Sequence, residues 1–385
     1  MAPGRADQGA MARALDLAQL SLRLSNPNPR VGCVLVDTSG RVIGEGHTQQ
    51  AGGPHAEVMA LRDAQARGEP IQGATAFVTL EPCSHHGRTP PCCDALIAAR
   101  IAKVVVAITD PNPKVAGSGI ERLRAAGLEV ELLPPDDPLA QASRDLNVGF
   151  FRRMTQGLPW VRMKMASSLD GTTALENGVS QWITGEAARA DGHAWRARAC
   201  AVLTGVGTVL EDDPMLDVRL VETPRQPHLV IVDSHLKTPP QAKLFEVPGN
   251  GLPRQVWIYH ASEDAEAMAA LQARGASLIP MPGAGGKVDL SAMLVDLGRR
   301  EVNELHLEAG GKLNGSFLRE GLVDELLLYL APCLLGRGAR VADMGPLERL
   351  SEGVRLEIAE TRQVGGDLRI LARLRTSASA KKIVL

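Results

Sequence analysis

Residues Pro82 to Cys92 read PCSHHGRTPPC, and the triplet His55-Ala56-Glu57 stands upstream of them. The triplet follows Pro54 at the predicted start of a helix, and the Pro82 segment links a predicted strand to the next helix. One histidine and two cysteines hold a tetrahedral Zn²⁺ ion and leave its fourth position for water, as in catalytic zinc sites. The pattern therefore predicts a catalytic zinc site within an α/β unit.

Glu57 lies two residues after His55, near enough to take a proton from a zinc-bound water and pass it to a leaving amine. A His-x-Glu motif followed by Pro-Cys is typical of the zinc deaminases that act on nucleobases. The ordinary alternative is that Cys83 and Cys92 are buried apolar residues and that His55 caps a helix. Cys93 is a second candidate for the third ligand, and spacing alone does not decide between Cys92 and Cys93.

Length and composition indicate a folded protein with several domains. At about 150 residues per domain, the 385 residues suggest two or three domains. Hydrophobic residues make up 44% and charged residues 22% of the chain, which excludes a disordered chain or a coiled coil. A net charge of −2 and 3% aromatic residues argue against a nucleic-acid surface. The composition therefore favours a small-molecule ligand.

The sequence predicts neither a membrane span nor a secreted protein. The longest apolar stretch, Leu326 to Gly336, is interrupted by Pro332 and is shorter than the roughly 20 residues that a span requires. The first residues contain no apolar core of a signal peptide. We therefore expect a cytoplasmic protein whose six cysteines form no disulfides.

Alternating helical and extended patterns predict two α/β domains. Strands of the first are expected near 31–36, 75–80, 104–108 and 128–133, with helices between them. The run from Pro134 to Pro138 continues neither pattern, which places a boundary within 134–157. Strands of the second are expected near 160–165, 200–204, 228–232, 255–259, 276–280 and 304–308. We assign residues 1–150 to the first domain and 158–385 to the second.

Further motifs extend the pattern over nearly the whole chain. They are Asn28-Pro29-Arg30-Val31-Gly32, Asp110-Pro111-Asn112-Pro113, Ser168 to Gly171, Ser180 to Thr184, Thr208 to Pro214 and Glu308 to Ser316. With these motifs the chain resembles the bifunctional deaminase/reductase family of riboflavin biosynthesis. The eight residues between Cys83 and Cys92 distinguish that family from deaminases with Cys-x-x-Cys. One departure is the loop 177–179, Asn-Gly-Val, where relatives often carry Gly-Glu or Gly-Asp before the serine.

For the first half, the resemblance implies a cytidine-deaminase-like zinc domain. One Zn²⁺ per chain would be held by His55, Cys83 and Cys92, with Glu57 as the proton donor. Contacts to the pyrimidine, ribose or phosphate are implied for Asn28, His47, His85, Arg88, Asp110 and Asn112. Residues 110–113 would also make an ordinary turn after a strand.

For the second half, the resemblance implies a dihydrofolate-reductase-like α/β domain that uses NADPH. Cofactor contacts are implied for Ala166, Trp182, Thr208, Asp212, Ser234, Gly310, Gly311, Lys312, Leu313, Asn314, Gly315 and Ser316. Substrate contacts are implied for Ser180, Arg196, Leu216, Arg219 and Glu308. Without the resemblance, the residues do not identify a cofactor site, because the glycine-rich turns at 205–207 and 310–316 would either bind a phosphate or only form a tight turn. Neither turn has the Gly-x-Gly-x-x-Gly pattern of a Rossmann domain.

Three basic residues are catalytic or binding candidates with an ordinary alternative. Lys164, on a predicted strand, would bind or polarise sugar oxygens, or would protect an edge strand from aggregation. Arg196 and Arg219 suit a phosphate, although an arginine on a helix is commonly a solvated surface residue.

The implied function is two consecutive reactions. The first domain would hydrolytically deaminate 2,5-diamino-6-ribosylamino-4(3H)-pyrimidinone 5′-phosphate. The second would use NADPH to reduce the ribosyl group of 5-amino-6-(5-phosphoribosylamino)uracil to ribityl. The expected partners are phosphorylated pyrimidines and further copies of the chain, as a dimer or tetramer, without nucleic acid or membrane. The alternatives are a tRNA adenosine deaminase with an appended domain, a non-enzymatic zinc module joined to a nucleotide sensor, and a chain that has lost one activity.

Overall fold

The computed structural model describes residues 5–87, 89–113 and 115–374. The chain divides into two compact units, Met1–Gly157 and Leu158–Leu385. None of the helices in the described part of the chain has the length and hydropathy of a membrane span. The elements of the first unit are α1 Arg5–Leu20, β1 Gly32–Val36, β2 Val42–His47, α2 Ala56–Ala66, β3 Thr75–Val78, α3 Cys92–Ala98, β4 Lys103–Val106, α4 Ser118–Ala125, β5 Glu129–Leu132, α5 Pro138–Leu146 and α6 Val148–Gln156.

The first unit is built on one mixed sheet of strand order β2-β1-β3-β4-β5. Strand β1 runs antiparallel to β2 and β3, whereas β3, β4 and β5 are parallel. The central strands are short apolar runs such as GCVLV in β1 and KVVV in β4, and most of their side chains are buried. Such runs are typical of strands that are covered on both faces.

Strand β2 was not among the predicted strands, because Gly44 and Gly46 weaken its strand pattern. The structure shows what these glycines do. A Cβ atom at Gly44 would lie 2.4 Å from the carbonyl oxygen of Ala60, and one at Gly46 would lie 2.4 Å from that of Ala56. The glycines therefore let α2 rest directly on the backbone of β2.

The run from Pro134 to Pro138 leads into helix α5, and the two units divide at the end of the predicted 134–157 window, after Gly157. Asp137 caps α5, since its Oδ1 accepts a hydrogen bond from the backbone N–H of Leu139 at 2.8 Å, and Pro138 takes the first helical position. Helices α5 and α6 are held on the first unit, because the Asn147 side chain bonds both the backbone N–H and the carbonyl of Arg30. Most of the 134–157 segment is therefore helical and belongs to the first unit.

The second unit contains a nine-stranded sheet of order β11-β10-β9-β8-β12-β6-β13-β16-β15 and a two-stranded sheet, β14-β7. The first seven strands in that order are parallel, and the hairpin β15–β16 is joined to β13 antiparallel. The elements are β6 Trp160–Ser168, β7 Thr172–Leu175, α7 Glu186–Arg198, β8 Ala201–Gly205, α8 Val206–Asp212, β9 His228–Val232, β10 Val256–His260, α9 Ala265–Gln272, β11 Ala276–Pro280, α10 Leu290–Arg299, β12 Glu304–Leu307, α11 Gly311–Arg319, β13 Glu325–Ala331, β14 Gly338–Arg340, β15 Leu356–Val364 and β16 Asp367–Leu374.

The two faces of the large sheet differ in chemistry at its centre. Side chains alternate along a strand, so Val161 and Met163 of β6 lie on one face and join an apolar cluster that includes Leu305. Arg162 and Lys164 of β6 occupy the other face. There they meet Glu304 of β12, Glu325 of β13, and Glu308, which directly follows β12. The polar face therefore carries charges into the middle of the sheet.

Arg162 is buried, at 2% exposure, and so are the two glutamates that it contacts. Its Nη1 lies 2.8 Å from Glu304 Oε2, and its Nε lies 2.6 Å from Glu325 Oε2. Arg198 of α7 also binds Glu304, at 2.7 Å, and the Trp195 ring stacks 4.4 Å from the Arg162 guanidinium. These contacts join α7 to three adjacent strands.

Replacing Arg162 by methionine is expected to lower the free energy of unfolding of the second unit by about 3–5 kcal/mol, because it leaves buried carboxylates without their partner. Urea denaturation followed by circular dichroism would measure the loss. Arg349→Met is the control, since the Arg349 side chain is 76% exposed in its pair with Glu352, and such a pair contributes at most about 1 kcal/mol. Equal losses in both variants would contradict the importance of the buried pairs.

Candidate active sites

His55, Cys83 and Cys92 come together in the first unit. Their ligand atoms all lie within 4.8 Å of one another. His55 Nδ1 is 3.6 Å from Cys83 Sγ and 3.3 Å from Cys92 Sγ. His55 is the N-cap of α2 and Cys92 is the first residue of α3, so two helix N-termini, which favour thiolates, point to the group. One nitrogen and two sulfur donors at this spacing fit Zn²⁺.

The electrostatics of the group follow from its burial and close contacts. The hydrogen bond from Cys92 lowers the pKa of the Cys83 thiol, and the same contact raises the pKa of Cys92. Glu57, in the first turn of α2, is 3% exposed, and burial raises the pKa of its carboxyl group. A carboxyl group with a raised pKa stays protonated closer to neutral pH, so it can act as the general acid that protonates a leaving group.

Cys93 is turned away from the group. Its Sγ donates to the carbonyl oxygens of Pro82 at 3.3 Å and of Gly119 at 3.5 Å. The structure therefore groups Cys92, rather than Cys93, with His55 and Cys83. It also reveals a contact that the sequence reasoning missed, because Thr89 Oγ1 lies 3.4 Å from His55 Nε2, the ring nitrogen on the far side from the sulfurs. A partner of this kind orients a metal-binding histidine.

The residues implied to contact the deaminase substrate are spread over several loops. Asn28, His47, His85 and Asn112 are half-buried, and Arg88 lies outside the described residues. Asp110 is buried after β4, and burial raises the pKa of its carboxyl group to about 7. Its Oδ1 accepts a hydrogen bond from the Asn112 backbone N–H at 2.8 Å, which forms the turn expected at this motif. The contacts of these residues with substrate stay predictions.

In the second unit, the implied cofactor residues follow parallel strands at one edge of the sheet. Ala166 lies on β6, Thr208 lies on α8 after β8, and Ser234 follows β9. Gly310 follows β12, and residues 311–316, expected as a glycine-rich turn, form the start of helix α11. A Cβ atom at Gly205 would lie 3.0 Å from Leu313 Cδ2, and one at Gly310 would lie 4.0 Å from Thr208 Oγ1. The two glycine-rich turns therefore adjoin, at the edge where open α/β sheets bind ligands.

The N-terminus of α11 suits a phosphate. Gly310 is its N-cap, and among the described residues no side chain caps this end and no acidic residue lies in its first turn. Its first N–H groups are therefore available to an anion, such as a cofactor phosphate.

Other residues at the start of α11 serve packing. Cβ atoms at Gly311 and Gly315 would lie 2.6 Å from the Arg340 carbonyl oxygen and 1.9 Å from that of Asp343. The Asn314 side chain donates to the carbonyl oxygens of Ala309 and Val341. These three positions let residues 340–343 approach the helix closely.

Lys164, Arg196 and Glu308 form the charged centre of this unit. Arg196 grips the Glu308 carboxylate with two nitrogens, Nε on Oε1 and Nη2 on Oε2, the latter at 2.8 Å. Lys164 Nζ lies 3.9 Å from Glu308 Oε2, and His306 Nε2 lies 3.1 Å from Oε1. Burial lowers the pKa of Lys164. The edge-strand explanation of Lys164 is wrong, because β6 lies between β12 and β13.

Leu216 and Arg219 lie on a loop that is fixed from several directions. Arg196 Nη1 donates to the Asp217 carbonyl at 2.9 Å, and Arg219 Nη1 binds the Asp217 carboxylate at 2.7 Å. Arg254, which the sequence reasoning did not single out, donates to the carbonyl of Leu216 at 3.0 Å. Leu216 has φ of +51°, a left-handed conformation that needs such support in a residue other than glycine.

The remaining cofactor and substrate candidates lie nearer the surface. Ser180 is half-buried and Trp182 is 65% exposed, in the loop between β7 and α7, where the Arg189 guanidinium stacks 4.7 Å from the Trp182 ring. Asp212 is exposed at the end of α8. Their place in a bound complex stays a prediction.

Cys92→Ala is expected to lower zinc affinity by at least about 100-fold, whereas Cys93→Ala should keep the metal and lose only packing. The reason is that only Cys92 reaches the His55 and Cys83 ligand atoms. Zinc content after dialysis against graded chelator concentrations would separate the variants. Retention of zinc by Cys92→Ala together with its loss from Cys93→Ala would reverse the ligand assignment.

Comparison with known proteins covers both units. Residues 5–108 match the family described as the cytidine and deoxycytidylate deaminase zinc-binding region, and residues 159–370 match the RibD C-terminal domain. The riboflavin biosynthesis protein RibD of Escherichia coli (strain K12) is 43% identical over 375 residues, which cover 94% of this chain and 98% of that protein. The corresponding Haemophilus influenzae protein is 41% identical over 373 residues, which cover 94% of this chain and 95% of the relative.

Solved structures give the same result. Acinetobacter baumannii RibD, form 2, superposes with a TM-score of 0.84 at 40% identity, covering 96% of this chain and 99% of that one. A Thermotoga maritima diaminohydroxyphosphoribosylaminopyrimidine deaminase/5-amino-6-(5-phosphoribosylamino)uracil reductase also has a TM-score of 0.84, at 34% identity, with 96% of this chain and 99% of that one covered.

These matches confirm the fold class expected from the sequence, a cytidine-deaminase-like zinc domain followed by a dihydrofolate-reductase-like α/β domain. Both halves match along almost their whole length, and in the same order. The chain therefore belongs to the RibD family, the bifunctional deaminase/reductases of riboflavin biosynthesis.

Proposed function

We propose that this chain catalyses two consecutive reactions. The first is hydrolytic deamination of 2,5-diamino-6-ribosylamino-4(3H)-pyrimidinone 5′-phosphate, and the second is NADPH-dependent reduction of the ribosyl group of 5-amino-6-(5-phosphoribosylamino)uracil to ribityl. The observation that carries the proposal is the presence of two built sites on one chain, the His55/Cys83/Cys92 group and the Lys164/Arg196/Glu308 cluster. We assign the first activity to residues 1–150 and the second to residues 158–385.

In the deaminase domain, His55, Cys83 and Cys92 would hold one Zn²⁺ ion, which lowers the pKa of bound water to about 7 and so supplies a nucleophile at neutral pH. Glu57 accepts a proton at its buried carboxylate and delivers it to the amino nitrogen, so that water is consumed and ammonia leaves. Burial raises the pKa of the Asp110 carboxyl group to about 7, and the protonated group presents both a donor and an acceptor. That pattern suits the edge of an aminopyrimidinone.

In the reductase domain, the uncapped N-terminus of α11 would hold one of the phosphates of NADPH, and this cofactor would supply the hydride. Lys164 donates hydrogen bonds to sugar oxygens while Glu308 fixes its position. Arg196 is committed to Glu308, whereas the Arg219 side chain is 49% exposed. We therefore assign the substrate phosphate chiefly to Arg219.

The non-enzymatic zinc module is a weaker explanation. A structural zinc site has four protein ligands. Among the residues that the structure describes, the group that could hold the metal has three members, and Glu57 is buried beside it. A site with an open fourth position suits catalysis.

From the sequence arguments we further propose that the enzyme works in the cytoplasm and as a homo-oligomer.

The purified protein is expected to replace an amino group of the diaminopyrimidinone by an oxo group without NADPH, and to add two hydrogens to the product only with NADPH. Mass spectrometry of the substrate and its products would follow both changes. If the amino group stays in place while zinc is bound, the substrate assignment is wrong, and other nucleobases become the next substrates to test.

Two variants separate the reactions. Glu57→Gln should lower the deamination rate by about 10²- to 10⁴-fold, because it removes the group that moves the proton, and should leave zinc content and reduction unchanged. Lys164→Met should lower the rate of reduction and leave zinc content and deamination unchanged. Lys243→Met is the control for the loss of a lysine charge, since its side chain is 56% exposed. Deamination at the normal rate by Glu57→Gln would show that Glu57 does not carry the proton, whereas a zinc-loaded wild-type chain without any deamination would support the non-enzymatic module.

A further inference from the structure

Glu81 is a buried acidic residue to which the proposed reaction gives no role. It follows β3, stands two residues before Cys83 and is 3% exposed. Its backbone N–H extends the pairing of β3 with β4 by donating to the Ile108 carbonyl at 2.9 Å. A buried carboxylate is costly unless it is paired or hydrogen-bonded, so its partners show what it holds.

Four backbone N–H groups surround the Glu81 carboxylate. Oε1 accepts from Gly119 at 2.9 Å and from Ile120 at 3.2 Å. Oε2 accepts from Gly117 at 3.0 Å and from Asp110 at 3.1 Å. Gly117 is the N-cap of α4, and Gly119 and Ile120 lie in its first turn. The negative charge therefore occupies the positive end of that helix, where anions are stabilised.

The surroundings allow little movement. A Cβ atom at Gly119 would lie 2.1 Å from the carbonyl oxygen of Pro82, so α4 and the Cys83 loop touch through their backbones. Ser84 Oγ and Ser118 Oγ are 2.7 Å apart and add a second bridge between the same segments. The Glu81 side chain is at the centre of this contact.

The bond to Asp110 gives the arrangement a functional meaning. Cys83 belongs to the metal group, and Asp110 is the residue that we propose to bind the pyrimidine edge. Their loops come from different parts of the chain, and Glu81 joins them, through its sequence position on one side and through the Asp110 N–H on the other. A displacement of Asp110 would weaken its contact with the pyrimidine edge, and would also move the substrate relative to the reacting centre.

We propose that Glu81 is a positioning residue for the deaminase, whose carboxylate sets the distance between the metal-binding loop and the substrate-binding loop through its four N–H donors. This inference rests on the proposed function of the first domain. The charge itself matters, because a carboxylate offers only acceptors to its four N–H donors. A glutamine would turn its NH₂ group toward two of them, and so would lose two hydrogen bonds and place donor against donor.

The test is the full-length Glu81→Gln variant, compared with Glu121→Gln, which removes an exposed carboxylate in the first turn of the same helix. We expect Glu81→Gln to raise the KM of deamination by about 10- to 100-fold, the effect of losing charge-assisted hydrogen bonds. Its kcat should fall less than its KM rises, and zinc content and reductase kinetics should match those of Glu121→Gln. The reductase on the same chain reports the amount of protein with a folded second unit, and the zinc content reports the folding of the first unit.

Two outcomes of this experiment would contradict the proposal. Unchanged deamination kinetics in Glu81→Gln would show that the charge is not needed. Loss of zinc with unchanged KM would make Glu81 a support of the metal group alone. If Glu81→Gln is insoluble, Glu81→Asp keeps the charge but shortens its reach, and the same KM increase with zinc retained is expected. A wild-type chain without deaminase activity would instead overturn the proposed function.

Discussion

A charge that leaves water must find its partners inside the protein, and this requirement organises both units. Arg162 is held between two glutamates, Glu308 is gripped by Arg196, and Glu81 is surrounded by four backbone N–H groups. Each arrangement joins segments that are far apart in the chain. Because an unpaired buried charge is costly, each also fixes the geometry of the segments that it joins.

The metal site is the part that the sequence predicted best, and the reason is chemical. Zinc selects residue types, so a histidine and two cysteines with a nearby glutamate mark the site before any fold is known. Only the choice between Cys92 and Cys93 needed the structure, because it depends on which neighbour of a helix start points inward. The strands from β8 to β12 were also located to within a few residues, since they are short apolar runs.

Other features had no mark in the sequence. Strand β2 was missed because its two glycines serve the approach of α2, and a glycine in isolation indicates flexibility rather than contact. The role of Glu81 was invisible because its partners are backbone groups, which every residue carries. The Lys164 cluster depends on strand order, since Arg196 and Glu308 are 112 positions apart and Lys164 reaches them only because β6 lies next to β12. Residue types indicate the chemistry of a site, but the order of strands in the sheet decides which residues lie next to one another.

The contact between α2 and β2 also bears on how this domain can change over time. The start of α2 carries His55 and Glu57, and the atoms of the helix nearest to Gly44 and Gly46 are main-chain carbonyl oxygens. Substitutions on the outer surface of the helix leave that distance untouched, so its sequence is free to drift. The two glycines have no such freedom. The outer surface of α2 can therefore vary widely in sequence while the distance between α2 and β2 stays constant.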